Sequence, residues 1–249
     1  MIYSRKKILL FIFSLMAGVC RAEEKWVADE IFLQMSEMRK SIQALQNQVN
    51  DLARKVNDLT PRKPGIPLAG TEKMTMGRQD AGVAVIEFSD FECPFCAKHY
   101  KKVLPKLRKT YFDSGIVKYL MKDFPLAFHG EAKKAAVAAR CAGEQGKYWA
   151  MHDGIFEAQG KLGDETYIAG AEKLGLKMDK FRACLNDPVQ AKRVDEDMAL
   201  GEKLGVQGTP AFFIGRVKDG ALTDYQRLDG VQSFETFAGV IDGLVKVKQ

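Results

Sequence analysis

The sequence predicts an α/β domain carrying an inserted helical subdomain, preceded by a coiled-coil-like N-terminal helix. Three observations carry this prediction. A buried-strand pattern runs into Cys93-Pro94-Phe95-Cys96 and then into a helical segment; a turn at Gly208-Thr209-Pro210 leads into apolar Ala211-Phe212-Phe213-Ile214; and apolar residues recur at spacings of three and four from Ala28 to Leu59. With 249 residues, 46% of them hydrophobic, the chain is long enough for one domain of roughly 150 to 200 residues plus an appendage. A charged fraction of 28% is ordinary for a folded domain and excludes a disordered chain.

The first element is a targeting segment. Arg5, Lys6 and Lys7 precede an apolar run from Ile8 to Val19, shorter than the ~20 residues a spanning helix requires, and small residues Cys20 and Ala22 precede Glu23. Residues 1–22 therefore read as a secretory signal peptide cleaved near Ala22, which places the processed chain in the periplasm or cell envelope. The alternatives are a lipoprotein with Cys20 lipidated and an uncleaved anchor; Val19 suits lipoprotein processing poorly, and an anchor needs more apolar length. Residues 1–22 hold four of the 38 basic residues and none of the 32 acidic ones, so processing lowers the net charge from +6 to +2. A balance that small, with no basic stripe interleaved with aromatics, excludes nucleic acid as a partner. Export leaves Cys93, Cys96, Cys141 and Cys184, an even set in a compartment that permits disulfides.

Residues 23–60 form the second element. Ala28, Met35, Ile42, Val49 and Val56 occupy one heptad position, and Ile31, Met38, Leu45, Leu52 and Leu59 the other. A seam this narrow and this long predicts self-association through residues 28–59; the competing reading is an amphipathic helix laid on its own domain. β-branched residues at the first position and Leu at the second favour a parallel pair, while uncharged flanking residues such as Gln34, Ser41, Gln46 and Gln48 leave a trimer open. Pro61, Pro64 and Pro67 stop the helix, and residues 61–80 read as a semi-rigid extended linker.

Residues 81–249 hold the chemistry. Ala84–Phe88 reads as a buried strand and Ala97–Tyr111 as a helix, so the Cys-X-X-Cys motif sits at a strand-to-helix junction. There the unpaired N–H groups and positive dipole end of the helix favour the thiolate of the first cysteine. Cys93 is then the exchanging sulfur and Cys96, one turn inside, the resolving one. Pro94 suits the first turn, which needs no N–H there. Two other uses of the motif compete. A zinc site would have Cys93, Cys96 and His99 but no further pair to complete four ligands. A purely structural disulfide would close only a two-residue loop and so constrain the unfolded chain little. Redox exchange is the expected function, with no metal and no cofactor.

With these residues in view the chain resembles the DsbA family of thiol-disulfide oxidoreductases, which have the thioredoxin fold. The resemblance covers roughly residues 80 to 245 and rests on the strand-CPFC-helix segment, on Lys118–Leu126, on Arg140–Asp153 and on Gly205–Gly215. It implies a cis peptide bond before Pro210, beside the active cysteines, with backbone groups of Thr209 offered to an extended substrate. It implies that the helical periodicity of about 129–204, with Asp187-Pro188 opening one helix, is the family's insertion, and that the chain ends β-β-α with a last helix near Ser233–Lys246. By the same resemblance Glu87, six positions before the first cysteine, relays a proton from Cys96, and Lys118 on the next strand is its partner. A strand glutamate of this kind is equally compatible with a packed structural role or with facing solvent. Cys141 and Cys184 are expected to pair across the insertion; two separate buried thiols are the alternative.

The chain departs from the family at Phe95. The most oxidising members carry His before the second cysteine; Phe cannot hydrogen-bond the thiolate, so the Pro94-Phe95 dipeptide is expected to give a less oxidising disulfide. His99, His129 and His152 are expected to be solvated or helix-capping. The resulting expectation is an exported, oligomeric oxidoreductase acting on cysteine-containing exported proteins, served by a membrane redox partner, with isomerase capability. A dithiol oxidase and a non-catalytic envelope adaptor are the rival readings.

Overall fold

The structure is a computed structural model describing residues 31–52, 55 and 63–246, and the chain divides into two compact units, Met1–Arg62 and Lys63–Gln249. The expected signal peptide 1–22, its cleavage near Ala22, and Ala28, Val56, Leu59 and Pro61 lie outside the described residues.

In the first unit residues 31–52 form helix α1. Its polar side chains pair locally, Lys40 with Glu37 at 3.1 Å and Gln43 with Asn47 at 3.3 Å, the spacings at which helix neighbours meet. The seam residues Ile31, Met35, Met38, Ile42, Leu45, Val49 and Leu52 are all exposed.

The second unit is a six-stranded mixed sheet covered by helices. Its strands are β1 (Ile66–Pro67), β2 (Thr75–Met76), β3 (Val83–Ser89), β4 (Val117–Asp123), β5 (Ala211–Lys218) and β6 (Ala221–Asp229), in the order β1-β6-β5-β3-β4-β2. β3 and β4 are parallel, Val85 opposite Tyr119, and the other pairings are antiparallel. Between β3 and β4 run α2 (Pro94–Lys102), α3 (Leu104–Leu107) and a wider turn at Arg108–Phe112. Every residue of β3 is buried, as befits a central strand covered on both faces.

The expected linker is corrected by this sheet. Ile66 pairs with Leu222 and Thr75 with Leu120, so β1 and β2 are its two edge strands, and Ile66, Leu68, Met74 and Met76 are buried. Proline at the edge of a sheet costs no ladder hydrogen bond, which is why a Pro-rich segment could join it.

Five helices lie between β4 and β5: α4 (Ala132–Gly143), α5 (Tyr148–Glu157), α6 (Asp164–Lys173), α7 (Met178–Leu185) and α8 (Pro188–Lys203). Buried Ala135, Ala138, Ala139 and Ala142 make α4 thin enough for α5, α6, α7 and α8 to pack around it. Asp187 caps α8 by accepting the Val189 N–H at 2.9 Å, with Pro188 in the first turn. A disulfide joins Cys141 of α4 to Cys184 of α7, with Cα atoms 5.7 Å apart and a sequence separation of 43. A loop of that length would stabilise by roughly 3 to 4 kcal/mol on the loop-entropy account.

The last helix, α9 (Phe234–Lys246), lays Phe237 and Ile241 on the sheet face formed by Val83, Val85, Tyr119, Phe212 and Ile214. The opposite face, with Ala84, Ile86, Phe88, Leu120 and Phe213, is covered by residues of α8. Cys93 and Cys96 belong to the core of the helical insertion, so the motif sits where sheet and insertion meet.

Candidate active site

The loop between β3 and α2 is held by three side chains before any sulfur chemistry is considered. Asp90 accepts the Cys93 N–H on its backbone oxygen at 3.1 Å, and its carboxylate accepts N–H donors from Glu92, Leu126 and His129 Nδ1, each at 2.7 Å. Glu92 reaches α4 and accepts the N–H groups of Glu131 and Ala132 at 2.6 and 2.8 Å, where a carboxylate meets the positive end of that helix. Gln159 donates to the carbonyls of Phe91 and Cys93 at 2.9 and 3.0 Å. None of the three was singled out from the sequence, because each acts on a partner more than 35 residues away or on backbone groups.

Cys93 stands at the N-cap position of α2 and Pro94 occupies the first turn. The Thr209–Pro210 peptide bond is cis, and the Cys93 sulfur lies 3.3 Å from the Thr209 carbonyl oxygen, to which it donates only while it keeps its proton. The two cysteines are both buried and unbonded, yet their environments push them apart. The Cys93 thiol is lowered to about 5, first by hydrogen bonding from the Cys96 thiol, against the cost of burial, and further by the Thr209 hydroxyl and the backbone N–H groups of Cys96 and Phe95. Cys96 is pushed well above the ordinary thiol range by burial, by giving its hydrogen bond to Cys93, and by the charge of Glu87. One sulfur is thus held as thiolate and the other as thiol.

Glu87 lies beneath them on β3, buried, its carboxyl pushed up to about 7 by burial and held from rising further by the hydrogen bond from Tyr119 and by the nearby Ser89 side chain. The Tyr119 hydroxyl donates to Glu87 Oε2 and lies 3.4 Å from His99 Nε2.

Lys118 is not at the site, and its expected partnership with Glu87 is corrected. In the parallel register Lys118 stands opposite Ala84 and shares that face, whereas Glu87 points to the other; Lys118 instead donates to the Gln79 carbonyl at 2.8 Å. The next residue, Tyr119, takes the place expected for it. The histidines also differ from expectation. His99 and His152 are buried, and burial pulls His99 down to about 3, leaving it neutral. His129, partly buried, is bound to Asp90.

Phe95 is 59% exposed, so its ring faces outward while its N–H serves the thiolate. Phe128, 79% exposed, packs edge-on against His129 at a centroid distance of 4.5 Å. Among the described residues no group of three or more His, Cys, Asp or Glu side chains is placed to hold a metal ion.

Known proteins with the same features bear on this geometry. The thioredoxin family model matches residues 70–242. The chain is 36% identical over 150 residues to the Na(+)/H(+) antiporter NhaA 1 of Salinispora arenicola, covering 60% of this chain but 22% of that protein, so it spans about a fifth of that relative's length. It is 25% identical over 188 residues to disulfide bond formation protein D of Bacillus subtilis, covering 72% of this chain and 82% of that one. Among solved structures, alpha-DsbA1 of Wolbachia pipientis superposes with a TM-score of 0.64 at 26% identity, over 73% of this chain and 94% of the other. A match over most of the folded unit, with the two cysteines at the head of α2 against the cis proline, shows that the chain belongs to the thioredoxin family and, within it, to the DsbA-like proteins.

Proposed function

We propose that the chain is an exported thiol-disulfide oxidoreductase in which Cys93 exchanges disulfides with cysteines of other exported proteins and Cys96 resolves, with isomerase capability as an oligomer. The observation that carries this reading is the asymmetry of the pair: Cys93 lowered to about 5 at a helix N-terminus and Cys96 held as a buried thiol. A disulfide whose first sulfur leaves as a stabilised thiolate is a good oxidant, and the same thiolate is the attacking group in the reverse direction.

In oxidation, a substrate thiolate attacks Sγ of Cys93 in the Cys93–Cys96 disulfide. The sulfur–sulfur bond breaks toward Cys96, which takes up a proton, with Glu87 as its source. A second substrate thiolate then attacks the mixed disulfide and expels Cys93 as thiolate. The substrate loses two electrons, the protein gains them, and a membrane redox partner restores the disulfide. In isomerisation the Cys93 thiolate attacks a substrate disulfide and is expelled again when another substrate thiolate attacks, with no net electron transfer. The Gly208-Thr209 backbone beside Cys93 is the place for an extended substrate segment, and the exposed Phe95 ring leaves the Pro94-Phe95 dipeptide to set the potential through the backbone.

The exposed seam of α1 supports self-association through residues 28–59, which would give each assembly two or more redox sites and the avidity to hold a misfolded chain. In this reading residues 1–22 are removed near Ala22 and the protein works in the periplasm or cell envelope. A dithiol oxidase is the second reading, favoured by the likeness to alpha-DsbA1 and by the helical insertion.

Insulin reduction and reactivation of scrambled ribonuclease, measured for the wild type and Cys93→Ala, test the proposal. Both activities are expected to vanish in the variant; equal activity in the two proteins would leave only a binding adaptor. Deleting residues 23–60 is expected to yield a monomer that keeps insulin reduction and loses most ribonuclease reactivation; reactivation retained by the monomer would separate isomerisation from self-association, and reactivation absent from the full-length protein favours the oxidase.

A further inference from the structure

Glu87, Tyr119 and His99 form a line of polar atoms through apolar surroundings. All three are at most 2% exposed. The Tyr119 hydroxyl gives its hydrogen to Glu87 Oε2, so its oxygen can receive a hydrogen from His99 only if Nε2 is the protonated ring nitrogen. Burial keeps the imidazole neutral, which leaves Nδ1 bare, and Nδ1 is the ring nitrogen without a hydrogen-bond partner. With Nε2 protonated and Glu87 ionised, the line runs His99 N–H to Tyr119 O–H to the Glu87 carboxylate, and each donor strengthens the next. Phe112 stacks on Tyr119 at 5.0 Å and Trp149 lies 5.7 Å away, while Phe212 and Phe237 flank His99, so the orientation is fixed by packing. The ionisable groups that bear on the line are Cys93 at the N-terminus of α2, Cys96 within it, and Tyr148 and His152 from α5; Ser89 of β3 lies at its carboxylate end. Lys118 is on the other face of the sheet.

We propose that Tyr119, oriented by His99, is the positioning residue that holds the charge of Glu87 while that carboxyl lends its proton to Cys96, the role that sequence position alone would give to Lys118. The proposal rests on the reading of Glu87 as proton relay. When the Cys93–Cys96 bond breaks, its electron pair goes to Cys96 Sγ, which takes the Glu87 proton; Glu87 becomes a carboxylate and accepts the Tyr119 hydrogen bond in full. When Cys96 attacks a mixed disulfide, the proton returns to Glu87. Tyr119 keeps its own proton in both directions, because burial and the neighbouring Glu87 push its ionisation well above the usual tyrosine range.

The test is a carbon-13 titration of the Glu87 carboxyl in glutamate-labelled full-length protein, with Glu87→Gln identifying the resonance. Tyr119→Phe is expected to raise the midpoint by about one pH unit, a tenfold rise in proton affinity. His99→Leu is expected to raise it by less, and Lys118→Met to leave it unchanged. An unmoved midpoint in Tyr119→Phe, or an equal shift in Lys118→Met, overturns the proposal. Should Tyr119→Phe lose its fold by circular dichroism, the comparison of His99→Leu with Lys118→Met decides: no upward shift in the former, or an equal one in the latter, overturns it. The relay reading is tested separately by the pH profile of disulfide exchange in Glu87→Gln. An unchanged profile there refutes the relay while the titration still decides whether Tyr119 governs Glu87.

Discussion

The Cys93 thiol lies 3.3 Å from the carbonyl oxygen of Thr209, a residue 116 positions away in sequence. This contact joins the start of α2 to the turn before β5, and β3 and β5 make it possible by pairing directly, Phe88 opposite Ala211. In the proposed exchange, a polypeptide bonded to Cys93 through its own sulfur would meet the Thr209 backbone.

The order of the causes acting on Cys93 predicts an order of mutant effects. Cys96→Ala removes the largest one and is expected to move the Cys93 ionisation most of the way toward an ordinary thiol value of about 8.5. Thr209→Val removes a smaller one and keeps the carbonyl contact, so a smaller upward shift is expected. Alkylation rates followed across pH measure both; a larger shift in Thr209→Val would reverse the assignment.

Stability should depend on redox state and pH together. Between about 5 and the ordinary thiol range, the folded reduced chain holds Cys93 as thiolate while the unfolded chain keeps it a thiol. Unfolding then takes up a proton, and the reduced form gains stability as pH rises. Glu87 acts oppositely: raised to about 7 on folding, its contribution is lost as pH rises toward and through that value. Glu87 is present in both redox forms, whereas Cys93 titrates only in the reduced one. Urea unfolding at about pH 5 and about pH 8 is expected to show the reduced form gaining on the oxidised form at the higher pH. A constant difference would contradict the lowered Cys93.

How much of this site was legible in the sequence depends on the distance over which each residue acts. The strand at Val83–Ser89, the CPFC turn and the Gly-Thr-Pro turn are local patterns, and the structure places them together. Lys118 failed for a matter of parity: adjacent strand residues face opposite sides, so a shift of one position exchanges Lys118 for Tyr119. Asp90, Glu92 and Gln159 work through backbone groups of distant segments and leave no spacing to read. The buried His99 escaped because its polar partner lies on another element.

Gly215 illustrates a constraint that the strand pattern hides. It sits at the irregularity between β5 and β6, and a Cβ there would stand 2.5 Å from the Thr223 oxygen and 2.8 Å from the Tyr225 Cβ. Gly215→Ala must displace a paired strand and is expected to destabilise by roughly 1 to 3 kcal/mol in chemical denaturation. A neutral effect would show that β6 can shift freely.

A buried ionic cluster ties the insertion to the sheet. Lys122 of β4 donates to Asp197 of α8 at 2.6 Å, and Arg140 of α4 donates to both Asp197 and Asp123. Asp197→Ala leaves Lys122 without its partner and Arg140 with one of two, and is expected to cost about 3 to 5 kcal/mol. A loss below about 1 kcal/mol would mean that water reaches the cluster.

The most direct measurement is the rate of iodoacetamide modification of Cys93 in the reduced protein as a function of pH, read by mass spectrometry of the peptide that contains it. The account predicts a midpoint near 5, far below that of an ordinary thiol, and an unreactive Cys96 over the same range. A single midpoint near 8.5 for Cys93 would contradict it.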